Sequence, residues 1–342
     1  MANNTYGYTY DALNRVTAAS VTAGTGTSYS YSYDANGNRT SQTAGSTTTS
    51  YAYNAANELC WAYTGSSSNA CSTAPTGAVT YTFDANGNET ASSSSDSLSY
   101  NSKNQTTSIT YGGTTLSSLT YADAAQTQRT VAGSTEYANT PLGVQVSTIS
   151  GTSSYYIPDA KANLLGERIG SNHWYYLTDG LGSIVAVISG DGLTIGDRYG
   201  YDPYGNTTAH TGTTANPWGY ARGYIDSTGL VKFGTRYYDP NLGRWTQQDP
   251  VGGTIQNPGT LDRYTYVACN PVNVVDRSGG NFWSRAGASF GVIGGAIGVV
   301  VTLITLAADI SGVAAIATVI GWYASWASIA FGVQALSAGA CQ

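Results

Sequence analysis

Residues 29–39 read Tyr29-Ser30-Tyr31-Ser32-Tyr33-Asp34-Ala35-Asn36-Gly37-Asn38-Arg39. Tyrosine alternates with serine, a period of two that puts one aromatic face on a β-strand. Asn36-Gly37 is a tight-turn signal, because such a turn needs positive φ. A Thr/Ser-rich return strand follows. The stretch predicts a β-hairpin with one tyrosine face, too small to be stable by itself.

The unit recurs as Tyr10–Arg15, Tyr33–Arg39, Tyr53–Glu58, Phe83–Glu89 and Tyr100–Gln105. Its second residues are Asp11, Asp34, Asn54, Asp84 and Asn101, separated by 23, 20, 30 and 17 positions. A period of this size indicates an array whose neighbours stack into one twisted sheet. A Tyr ladder of this kind is read first as packing across strands. The longest gap contains an insert bracketed by Cys60 and Cys71. Those two cysteines are the candidates to close it as a disulfide in an oxidising compartment, and both redox states stay open. Cys269 and Cys341 are read as unpaired.

Of the 342 residues 10% are charged, 42 are Gly and 28 are Tyr. Globular chains average roughly 25% charged and about 7% Gly. Scarce charge argues against long amphipathic helices, whose exposed faces need it. Abundant aromatics argue against disorder. The net charge of −6 leaves no basic footprint for nucleic acid. Two histidines, His173 and His210, and no Cys-x-x-Cys spacing give no expectation of a metal or cofactor. His173 is read as packed on the sheet and His210 as solvated in a loop. The first 30 residues hold no basic segment followed by an apolar one, so no secretory signal is recognised.

Further on, Asp179-Gly-Leu-Gly-Ser183, Tyr201-Asp-Pro-Tyr-Gly-Asn206, Phe233-Gly-Thr-Arg-Tyr-Tyr-Asp-Pro240, Gly243-Arg-Trp245, Asp249-Pro-Val-Gly252, Arg263-Tyr-Thr-Tyr-Val267 and Asn270-Pro-Val-Asn273 follow one another. Together with the hairpin units, this succession resembles the C-terminal part of the Rhs/YD-repeat family, including its repeat-associated core domain. The resemblance covers residues 1–280. It implies a mainly β fold: a YD-repeat spiral over 1–140, a core domain over 141–280 that plugs inwards, and a variable segment over 281–342. Family members close the spiral into a hollow shell, and the variable segment is often a toxin cut from the shell and held inside. The few repeats here imply an upstream shell protein or parent chain, and the family context implies a secretion-system spike and an immunity protein.

Self-cleavage in the family depends on paired aspartates and an arginine. By motif order these correspond to Asp249, Asp276 and Arg236, with the cut between Gly280 and Asn281. Two close carboxylates share a proton, so one can activate water while the other polarises the scissile carbonyl. Arg236 would hold one carboxylate ionised and oriented. The sequence departs from the family pattern at Arg277, where Pro is expected, and at Gly280, where Leu is expected. Arg277 is read as a charge placed to pair with Asp276. The alternative is that both aspartates only cap their turns.

The composition changes at the same boundary. Residues 281–342 carry only Arg285 and Asp309 as charged side chains. Residues 286–308 and 310–342 are each long enough to cross a bilayer of about 30 Å as a helix. Gly287, Gly291 and Gly295 have the spacing of close-packed membrane helices. The tail is thus read as an apolar helical hairpin that meets lipid through 286–342, as a membrane-active effector, an anchor or a buried pair. The sequence accordingly predicts a secreted or cell-surface carrier used in interbacterial competition. The other candidate is a non-enzymatic scaffold, anchored by its tail, that binds glycans or protein partners.

Overall fold

The computed structural model describes residues 4–122, 128–254 and 260–280. The tail over 281–342, Cys341 and the membrane hairpin expected there lie outside the described residues. The described chain is mainly β. Eleven strands, β1 (Thr5–Tyr10) to β11 (Thr114–Leu116), form one sheet in strict chain order. Ten more, β12 (Thr120–Tyr121) to β21 (Thr207–Gly212), form a second. A third sheet has four short strands: β22 (Tyr224–Ile225), β23 (Val231–Phe233), β24 (Arg236–Asp239) and β25 (Arg244–Trp245). The hairpin β14 (Thr135–Thr140) to β15 (Gly143–Ile149) straddles position 140. Helix among the described residues is confined to short 3₁₀ turns such as Cys71–Thr73.

Each repeat is closed by its Asx side chain. Asp34 Oδ1 accepts from the backbone N–H groups of Asn36 at 2.9 Å and Asn38 at 2.8 Å, while Gly37 N–H donates to the Asp34 carbonyl. Gly37 has φ +98°, but Asn36 stays in the ordinary region, so the loop is wider than the two-residue turn that Asn-Gly suggests. The same i+2 and i+4 bonds recur at Asp11, Asn54, Asp84 and Asn101. They recur again at Asp159, Asp179 and Asp202, where the sequence had shown no repeat. At the third position after the Asx, Asn14, Asn57 and Asn104 take the left-handed conformation that Gly37 takes.

In five places a tyrosine ties one repeat to the previous one. Its hydroxyl donates to the backbone carbonyl five residues after the preceding Asx: Tyr33 to Val16, Tyr53 to Arg39, Tyr100 to Glu89, Tyr121 to Thr106 and Tyr201 to Ile184, at 2.6–2.9 Å. Phe83 occupies the corresponding place after the insert and carries no hydroxyl. There β6 (Leu59–Thr64) meets β7 (Val79–Phe83) through only Trp61↔Thr80 and Ala62↔Val79. The insert is closed instead by a Cys60–Cys71 disulfide, with Cα atoms 5.3 Å apart.

In β3 (Tyr29–Tyr33), Tyr29 and Tyr31 are buried while Ser30 and Ser32 are exposed, as the alternation predicts. Tyr29 and Tyr31 pack with Val16, Ala19 and Tyr204, and the small sheet buries other faces of the wall. β23 and β24 are buried at every position. Phe233, Tyr238, Trp245 and Tyr266 form an aromatic cluster at its centre. Leu230 and Tyr237 pack on Leu98 and Ile109 of the first sheet and on Ala132 of the second. Leu242 packs on Tyr51 and Leu59. Polar ties fix the register: Arg244 donates to the Asn57 carbonyl at 2.6 Å, Tyr264 to that of Gly87 at 2.6 Å, and Arg129 to Asp226 at 2.6 Å. Buried Arg39 stands over the Tyr204 and Tyr51 rings at 4.6 and 5.1 Å and donates to the Asn241 carbonyl. A guanidinium tolerates such an interior because ring faces and carbonyls replace its water.

Candidate functional site

β24 begins at Arg236, and a turn at Gly234 leads into it. The chain's last described residues lie across that turn. Thr235 N–H donates to the Ser278 carbonyl at 3.0 Å, and Thr235 Oγ1 to the Gly279 carbonyl at 2.6 Å. Two glycines make this approach possible. A Cβ on Gly234 would stand 1.8 Å from Ser278 O, and one on Gly279 would stand 2.3 Å from Phe233 O. Both have positive φ, +41° and +62°.

Arg236 is 3% exposed and its guanidinium lies 4.0 Å above the Trp245 ring. Nη2 donates to Asp249 Oδ2 at 2.7 Å and lies 3.5 Å from Asp276 Oδ2. Nε donates to the Gly279 carbonyl at 2.7 Å and Nη1 to that of Arg263 at 3.1 Å. Burial pulls the guanidinium down to about 10, against the opposing pull of Asp249 and then Asp276. It is therefore still charged at neutral pH. The structure thus brings together the three residues that motif order singled out.

Both aspartates also cap turns. Asp249 Oδ1 accepts from Val251 N–H at 2.8 Å, and Asp276 Oδ1 from Ser278 N–H at 3.1 Å. Capping and pairing are not alternatives here, because each carboxylate uses Oδ1 for its turn and Oδ2 for the guanidinium. Arg263, which the sequence did not single out, clamps the Asp249 carbonyl through Nε at 2.9 Å, and Asp249 N–H returns to the Arg263 carbonyl at 2.8 Å. Gly280 stands beside this pair: a Cβ on it would lie 3.8 Å from Asp249 Oδ1 and 3.6 Å from Pro250 Cγ. Asn281 lies outside the described residues. Ser278, also unsuspected, touches both Asp276 and the Gly280 carbonyl. Its only sequence signal is its place two residues after an Asx, the same place that the turn-closing N–H takes in the repeats.

Arg277, expected beside Asp276, reaches the Leu181 loop. The guanidinium facing Asp276 is that of Arg236, while Arg277 donates to the Leu181 carbonyl at 2.9 Å. His210 is not a loop residue. It lies in β21, where its Nε2 is 2.8 Å from buried Asp197 and its ring stacks on Tyr199. His173 lies exposed in β18 (Asn172–Thr178). Among the described residues no group of His, Cys, Asp and Glu is arranged to hold a metal ion. No helix among them is long and apolar enough to cross a membrane.

Two carboxylates on one buried guanidinium, beside the carbonyls of Gly279 and Gly280, form an arrangement competent for general acid–base chemistry on a peptide bond.

Known proteins share this architecture. Toxin subunit YenC2 of Yersinia entomophaga is 37% identical over 97 residues, 27% of this chain and 10% of that protein. Toxin subunit YenC1 of the same organism is 34% identical over 104 residues, 29% of this chain and 10% of that protein. The chain's match thus spans one tenth of each of these relatives. The structure of a mutant Photorhabdus luminescens Tc holotoxin pore superposes with a TM-score of 0.51 at 17% identity, over 80% of this chain and 16% of that one. At that identity the likeness is one of fold. The family model of the teneurin YD-shell matches residues 1–272. With its Asx-closed hairpins, tyrosine ties and buried aromatic plug, the chain belongs to the teneurin YD-shell family, of the Rhs/YD-repeat type.

Proposed function

We propose that residues 1–280 are the wall and plug of a toxin-complex-type carrier, and that Arg236, Asp249 and Asp276 cut the chain between Gly280 and Asn281. The observation that carries the reading is the meeting of both carboxylates on Arg236 with Gly280 against Asp249. One carboxylate takes a proton from water, and the other, protonated, withdraws charge from the scissile carbonyl. The released segment, 281–342, is the cargo, and its apolar sequence supports action on a membrane. The kinship with Yersinia toxin subunits supports secretion and assembly with other toxin-complex subunits. The edge strand β1, which pairs only with β2 (Val16–Ala23) among the described residues, offers a place for further repeats to add.

The test is expression of the full chain with a tag at each end, beside Asp249→Asn and Asp276→Asn. The expected result is a C-terminal fragment of the mass of 281–342 plus its tag, absent from both variants. A single intact species in the unmodified chain overturns the cutting step and favours the scaffold.

A further inference from the structure

We propose that Ser278 is a catalytic residue of this cut: its hydroxyl relays the proton of Asp276 to the carbonyl oxygen of Gly280. The proposal rests on the reading of Arg236, Asp249 and Asp276 as a cutting site, and it divides their labour.

Ser278 Oγ lies 2.8 Å from Asp276 Oδ1 and also contacts the Gly280 carbonyl oxygen. A hydroxyl carries one proton, whereas an ionised carboxylate and a carbonyl both only accept. Ser278 cannot donate to both. Both contacts are hydrogen bonds only if Asp276 carries a proton on Oδ1 and donates it to Ser278 Oγ, leaving Ser278 to donate to Gly280.

The surroundings agree with that assignment. Arg236 Nη2 is 2.7 Å from Asp249 Oδ2 but 3.5 Å from Asp276 Oδ2. The first is a charge-assisted hydrogen bond, and the second is too long for one. The guanidinium thus spends its donor on Asp249, and the proton that the relay needs is assigned to Asp276, which receives no such bond. Asp249 Oδ1 is also the oxygen nearest the Cβ position of Gly280.

The chemistry then balances with water as the only co-reactant. Asp249 takes one proton from water, and the water oxygen bonds to the carbonyl carbon of Gly280. As that carbon becomes tetrahedral, the proton of Asp276 passes to Ser278 Oγ and the Ser278 proton to the former carbonyl oxygen, giving a neutral diol. The C–N bond then breaks. Asp249 gives its proton to the departing nitrogen of Asn281, and the diol returns one through Ser278 to Asp276. The products are the Gly280 carboxyl and the Asn281 amine, and the pair is restored.

The variants Ser278→Thr and Ser278→Val have the same shape and differ only in the hydroxyl. They are made in the full chain with a tag at each end, and the cut is timed during cell-free synthesis. Thermal melting confirms that the wall is folded. Ser278→Thr is expected to cut within about 10-fold of the parent, and Ser278→Val about 10²-fold or more slowly, the usual loss when a donor to a developing oxyanion is removed. Equal rates for Thr and Val overturn the relay while leaving the cut in place. A parent chain that is never cut, tested beside Asp249→Asn, overturns the underlying reading and the relay with it.

Discussion

Replacing Tyr201 by phenylalanine removes one hydroxyl from the wall and leaves the ring in place. That hydroxyl donates to the Ile184 carbonyl at 2.9 Å, and burial holds it well above the usual phenol range. The apolar area buried by the ring does not change, so the hydrophobic contribution cancels. What remains is the net value of one hydrogen bond, about 0.5–1.5 kcal/mol, with a further penalty where the stranded carbonyl cannot reach water. Tyr201 is half-buried, which puts the expected loss at about 1 kcal/mol. Tyr100→Phe breaks the equivalent tie to Glu89 at 2.8 Å in the other large sheet. The two sites share no hydrogen-bond partner, so the double variant should lose about 2 kcal/mol, additive to within about 0.5. Each kcal/mol lowers the Tm of a chain this size by about 2–4 °C. The assay is urea and thermal unfolding of the full chain, with Tyr175→Phe, whose ring is 50% exposed, as control. Midpoints that stay put in both single variants, or that fall equally in the control, would show that the ties carry no stability and that ring burial alone holds the repeats.

Arg236→Met strands two carboxylates that are 21% and 3% exposed, and should cost about 3–5 kcal/mol by urea unfolding; a loss under about 1 would mean the ion pairs are not structural. Gly279→Ala, at φ +62° and with its methyl 2.3 Å from a carbonyl oxygen, should shift residues 276–280 and abolish the fragment on a two-tag gel; undiminished cutting would contradict the close approach. Stability should also depend on pH. Burial pushes Glu167 up from 4.5 to about 7 and Glu89 up to about 8, with neighbouring Asp239 adding to the latter. A raised carboxyl binds its proton more tightly in the folded chain, so its stabilisation is complete below 4.5 and lost as pH rises towards 7 and 8. Glu167→Gln should flatten the first part of that fall, and a melting midpoint indifferent to pH between 5 and 8 refutes it. Cys60→Ser should cost about 2–3 kcal/mol for a loop of this length, read by urea unfolding against the oxidised parent; an unchanged midpoint would mean that the bond adds no stability.

The hairpins were legible because their signals are local. Tyr29 to Tyr33 show the period of a strand, and Gly37 marks the one position that must take positive φ. The later repeats escaped because an Asx-closed loop constrains few positions. It needs the Asp, a residue that tolerates the left-handed region three places on, and any N–H four places on. Gly-Leu-Gly after Asp179 and Pro-Tyr-Gly after Asp202 meet that need as well as Ala-Asn-Gly does. Asp249, Asp276 and Arg236 were found through motif order, which carries no distances. Ser278 and Arg263 were not found, because their roles depend on which oxygen of a carboxylate is already occupied. His210 was misplaced because its partner, Asp197, lies across a strand pair rather than nearby in sequence.

The seam at Phe83, where the ring carries no hydroxyl to tie it, is clasped by sulfur. Beside Phe83 the first sheet crosses from β6 to β7 on two paired positions, and the Cys60–Cys71 bond pins the intervening loop. Such bonds persist outside cells and are dismantled by glutathione within them. That seam is consequently stitched in the extracellular medium and loosened in a cytosol, at an address where one ring lacks an oxygen atom.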